Sequence, residues 1–215
     1  MIWPARLGPT RGSLITGRSW PGPAAPRRWP RSGTSDTATR PRLAEDGLAH
    51  DPAGISAVRL HAILARALAD CAEPVQARAA MTAAQKAGEH AGPDELHDGV
   101  GGEFAFDEAK QSYYGAITLL GADDPAAAER AASKAVGLYE AVPARVRSYG
   151  CNALAQVELA KAQLMTGKLD DAAQALGSVL ALDPSRRISS LNQHLDTCRE
   201  LLRAPAHGGG VRNAV

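Results

Sequence analysis

From Ile55 to about Arg203 small and apolar residues recur every three or four positions, and only a few places interrupt them. That period is the turn of an α-helix, and it leaves each segment with one apolar face. In the stretch Ala153–Pro184, Leu154, Val157, Ala160 and Leu164 share such a face. Gly167 then breaks the run, as glycine does just past a helix end. Asp170 and Asp171 stand near the start of the next helix, where negative charge suits the dipole. Ala172, Leu176, Val179 and Leu180 form the second stripe, and Pro184 ends the unit.

The same arrangement occurs twice upstream. Leu64-Ala65 is followed by Ala77, Met81 and Ala84, and Ala116 is followed by Ala128, Ala132 and Ala135. Pro74 and Pro125 each stand three residues before the small residue of their second helix, and each follows an acid, Glu73 or Asp124. An acid followed by proline predicts a cap and a first helical position. Small residues on facing helices let two backbones approach closely, with larger side chains filling the flanks. The pattern therefore predicts three helical hairpins, at about 55–90, 106–141 and 149–183. A last helix is predicted from about Arg187 to Arg203. Its apolar stripe is Ile188, Leu191, Leu195, Cys198 and Leu202, and Arg187, Asp196, Arg199, Glu200 and Arg203 stay wet.

Composition agrees with helices. Hydrophobic residues make up 45% of the 215, but aromatics only 4%, so the core must be alanine, leucine and valine. Sheets favour β-branched and aromatic side chains instead. Cys71, Cys151 and Cys198 are far apart, odd in number and form no CxxC pair, which reads as reduced thiols of a cytosolic protein. No apolar run approaches the length of a membrane span. Cytoplasmic localisation is the expectation.

The net charge of +1 hides an asymmetry. Residues 1–50 hold eight arginines, no lysine and three acids, a local charge of +5. The same stretch has seven of the fourteen prolines and all three tryptophans, Trp3, Trp20 and Trp29. Residues 1–52 are read as a disordered Arg/Pro-rich leader, 53–203 as the helical repeat domain, and 204–215 as a disordered tail. A basic, tryptophan-bearing arm gripping DNA is the alternative reading of the leader. An unstructured or non-native leader is preferred, because a basic tail by itself is weak evidence for nucleic-acid binding.

The stretch Leu159-Ala160, Gly167, Ala172, Leu176, Pro184 resembles a tetratricopeptide (TPR) motif in residue type and spacing. The resemblance implies an all-α, TPR-like α-solenoid of about three antiparallel hairpins closed by a C-terminal capping helix. Tandem TPR units are contiguous at about 34 residues. Here Ala77, Ala128 and Ala172 lie 51 and 44 apart, with the extra residues in the loop 91–105 and around Pro143–Tyr149. The large aromatics of the motif are mostly missing. Pro93 to Phe104, then Phe106, Tyr113-Tyr114 and the run Arg147-Ser148-Tyr149-Gly150-Cys151, add a closer likeness. With the repeats, over about residues 53–205, they resemble the C-terminal half of actinobacterial XRE-type transcriptional regulators, which carry a lambda-repressor-like helix-turn-helix domain in front. The resemblance implies a partner- or effector-sensing half. Residues 1–52 show no pair of short amphipathic helices, so DNA binding by this chain is unsupported.

No catalytic constellation is visible, and an enzyme is the least favoured class. There is no GxSxG elbow, and Glu158 and the other helix acids read as solvated faces. Gly99-x-Gly101-Gly102 follows no strand and lacks a GK[ST] ending, so it is set aside as a phosphate loop. Glu89, His90, Asp94, Glu95, His97, Asp98, Glu103, Asp107 and Glu108 gather between residues 89 and 108. Without fixed ligand spacing they read as a polar inter-repeat loop rather than a metal site, and no cofactor is expected. In a TPR array the first helices line the concave face. Register then places Arg59, Arg66, Lys110, Tyr113 and Lys161 there, a basic groove with a tyrosine suited to an acidic peptide or a phosphorylated ligand. A protein or peptide partner is the expectation. A homodimer would cover the apolar edge that a truncated first repeat leaves exposed.

Overall fold

Three turns of identical construction organise the chain. In a computed structural model, which describes residues 39–92, 106–143, 145, 147–186 and 188–203, Ala72, Asp123 and Gly167 all adopt positive φ, at 62°, 57° and 79°. Each stands two residues past a helix end. The amide after it bonds five residues back: Glu73 to the carbonyl of Leu68, Asp124 to Leu119 and Lys168 to Gln163, each at 2.9 Å. With the bonds reaching three residues back from Ala72, Asp123 and Gly167, at 3.0 to 3.3 Å, this is the Schellman closure, which satisfies the last helical carbonyls and reverses the chain.

The helices follow from those turns. Three hairpins form: α2 (Gly54–Asp70) with α3 (Pro74–Glu89), α4 (Glu108–Gly121) with α5 (Pro125–Ala141), and α6 (Tyr149–Met165) with α7 (Leu169–Leu180). They match the expected spans to within a few residues. Ahead of them lies α1 (Thr39–Leu48). After a short 3-10 turn at Pro184–Arg186 comes α8 (Ser189–Arg203). All eight helices of the described residues are α-helices, with no strand among those residues. Pro74 and Pro125 occupy first-turn positions as expected. Asp124 caps α5 by accepting from the Ala127 amide at 3.0 Å, whereas Glu73 makes no capping bond.

Alanine is what lets the helices stack. Ala77, Ala116, Ala128, Ala132, Ala135, Ala160 and Ala172 have no exposed surface. Each hairpin packs on the next, α2 against α4 and α5 against α6, and α8 packs on α6 through Leu191 and Cys198. A Cβ on Gly121, at the end of α4, would lie 2.8 Å from the Ala69 Cβ of α2, so this close approach needs a glycine. Ion pairs repeat with the register. Arg78 of α3 reaches Asp124 at 3.2 Å, and Glu129 of α5 receives Lys168 at 2.8 Å. In both, the residue after the buried alanine of one hairpin meets the turn residue four before the buried alanine of the next, with the charges exchanged.

Helix α1 corrects the expectation that residues up to 52 are disordered. Ala44 is buried among Leu64, Ala65 and Ala80, with Leu48, Ile63 and Leu68 around them. Pro41 sits in the first turn of α1, where its missing N–H has no intrahelical acceptor to lose. With only Leu43, Ala44 and Leu48 as apolar residues, α1 is too short to show a period. The rest of the leader (1–38), the loop 93–105, Arg187 and the tail 204–215 lie outside the described residues.

Candidate functional site

The first helices of the three hairpins carry the five residues expected to line a groove, and the structure separates them. Lys161 on α6 is turned inward, with 2% of its side chain exposed. It donates to the Glu158 carboxylate at 2.8 Å and lies 3.0 Å from Nδ1 of His194 on α8. The same His194 nitrogen contacts the Glu158 oxygen directly. Glu158 therefore corrects another expectation: it is no solvated acid, being 1% exposed. Burial alone would raise its pKa. Lys161 and His194 overcome that and hold it at about 2, so the carboxylate stays charged inside the core.

Tyr113 and Lys110 on α4 are also buried. Tyr113 packs edge-on to Tyr114, ring centres 5.7 Å apart, and desolvation raises its hydroxyl pKa. The backbone N–H of Lys110 bonds to the capping Asp107 at 2.8 Å. Arg59 stays half-exposed on α2.

Arg66 faces a cavity. It lines a space of about 450 Å³ between α1 and α2, with Arg40, Asp70, Leu43, Leu60 and Ile63. Its guanidinium lies 5.7 Å over the Tyr114 ring, a cation–π arrangement that holds the charge at the cavity wall. Arg40 of α1 approaches Asp70 at 3.7 Å. Desolvation raises the Asp70 carboxyl, and Arg66 and Arg40 counter it only in part.

Other concavities lie elsewhere. One of about 640 Å³ between the first two hairpins has Met81, Gln111 and Lys134 on its walls, and Glu108 on its rim pairs with Lys134 at 2.7 Å. One of about 370 Å³ is lined by Gln156, Gln163, Gln174 and Ser178. Of the polar loop, Asp94, Glu95, His97, Asp98 and Glu103 lie outside the described residues. Among the described residues no three histidine, cysteine or acidic side chains gather as for a metal, and no helix is long and apolar enough to cross a membrane.

Sequence reasoning missed Arg40, Asp70, Glu158 and His194. For Glu158 a signal existed: it stands three residues before Lys161 in a run where Val157, Leu159, Ala160 and Ala162 are all apolar. His194 is 36 residues from Glu158, and nothing local announces the contact. No protein-family model, curated protein or solved structure matches the chain.

Proposed function

We propose that the chain is a TPR-type interaction or sensing domain of a transcriptional regulator, and that it binds a peptide, a protein partner or a small signal on the face formed by its first helices. One observation carries this reading. Three hairpins share the same turn, the same buried alanine and equivalent inter-hairpin ion pairs, which is how a repeat protein stacks its units side by side. Arg66, on the first helix of the first hairpin, stands at a cavity with an apolar wall. Small-molecule and peptide sites combine these two features, apolar area for affinity and a few placed charges for orientation. The regulator half of the proposal rests on the sequence resemblance.

The test uses the full chain, fluorescently labelled, on an array of short peptides of acidic and apolar composition. A set of peptides retained by the wild type and lost with Arg66→Glu, at unchanged helical circular dichroism, is the expected result. A wild-type chain that retains none, or a variant that retains the same set, overturns the reading.

A further inference from the structure

We infer that the cavity between α1 and α2 takes a small amphipathic carboxylate, an organic acid with an aliphatic or aryl tail. The inference deepens the reading above and rests on it.

The volume, about 450 Å³, lies within the range of roughly 300 to 1,000 Å³ that small-molecule sites occupy. One part of its wall is aliphatic: Leu43, Leu60 and Ile63. Leu43 is 64% exposed, a large apolar side chain left in water at the edge of the cavity. An apolar tail laid against these residues removes both surfaces from water, and that supplies affinity. Inorganic phosphate or acetate would leave the leucines wet.

The charged part is Arg40, Arg66 and Asp70, a net single positive charge. Guanidinium presents a planar fork of donors that matches a carboxylate. Asp70 offsets part of both cations, Arg40 at 3.7 Å and Arg66 beside it. Arg66 is held against the Tyr114 ring, which fixes its position without neutralising it. Two cations against one acid favour an anionic head over an ammonium.

The experiment is calorimetric titration of the full chain with octanoate, octylammonium, acetate and inorganic phosphate. Octanoate is expected to bind, with the other three at least about tenfold weaker. Losing one charge-assisted contact in Arg66→Gln is expected to weaken octanoate by about tenfold or more. Leu43→Glu alters a position that is 64% exposed, and its added negative charge is expected to weaken octanoate comparably. It keeps the test decisive if the Arg66 variant fails to fold. The inference is overturned if octanoate does not bind, if octylammonium binds equally well, or if the folded variants bind octanoate like the wild type. Failure here with Arg66-dependent peptide retention intact removes the ligand class and leaves the interaction reading standing. Failure of both removes both.

Discussion

The carboxylate of Glu158 and the ammonium of Lys161 meet at 2.8 Å inside the third hairpin, with 1% and 2% of their side chains exposed. Charges so placed need each other, because removing one leaves the other desolvated without its counterion. Glu158→Gln is therefore expected to lower unfolding free energy at neutral pH by about 3 kcal/mol. Glu158 is held at about 2 against an ordinary 4.5. A carboxyl with a depressed folded pKa stabilises above its unfolded value and loses that contribution as pH falls through the folded one. Urea midpoints measured from pH 7 down to pH 3 should show wild type and variant converging on acidification. A gap that is constant with pH would contradict the assignment.

Asp70 behaves oppositely. Desolvation raises its carboxyl, so the folded chain takes up a proton more readily than the unfolded one. Its charged form opposes folding above the unfolded value, and that opposition fades as pH falls. Asp70→Asn is thus expected to leave thermal stability at pH 7 unchanged or raised, and to flatten the pH dependence in the weakly acidic range. A clear drop in Tm at pH 7 would show that its pairing with Arg40 and Arg66 outweighs burial.

Two glycines give opposite outcomes on substitution. Gly121→Ala would push a methyl to 2.8 Å from the Ala69 Cβ and 3.4 Å from the Ala69 carbonyl carbon, forcing α2 and α4 apart. A cost of about 1 to 3 kcal/mol is expected. Gly137 lies within α5 with nothing within 4 Å of an added Cβ. Gly137→Ala should stabilise by about 0.5 to 1 kcal/mol through helix propensity. Chemical denaturation of both variants decides the matter.

Ala72 takes the left-handed conformation at φ 62°, where Gly167 stands in the third hairpin. A Cβ there costs about 1 to 2 kcal/mol, offset in part by the larger unfolded-state entropy of glycine. Ala72→Gly is expected to stabilise by about 0.5 to 1 kcal/mol. A loss of stability would mean that the turn is not the limiting strain.

Cys198 is 2% exposed, and burial pushes its thiol up to about 12 although Lys161 lowers it in part. Cys71 and Cys151 are half-buried. In the native chain a thiol reagent should modify those two first. Cys198 should follow only as α8 leaves α6, so Glu158→Gln should hasten its modification. Equal rates at all three positions would contradict the packing of α8.

The helices and the limits of the hairpins were legible in the sequence, because helical periodicity is local: residues three and four apart share a face. The breaks at Gly167, Pro74 and Pro125 were legible for the same reason, each imposing its own backbone preference. Ala72 and Asp123 show where that legibility ended. They adopt the geometry of Gly167 without its residue type, so no residue signal at those two positions marked the turns. Only the tertiary structure decided that α1 forms, since its few apolar residues find their partners on α2. It also decided that Lys161 faces inward. Glu158 and His194 lie 36 residues apart, and Arg78 and Asp124 lie 46 apart. A charge on a helix reads as solvated until another element covers it, and which element does so is set by how the hairpins stack rather than by any local pattern.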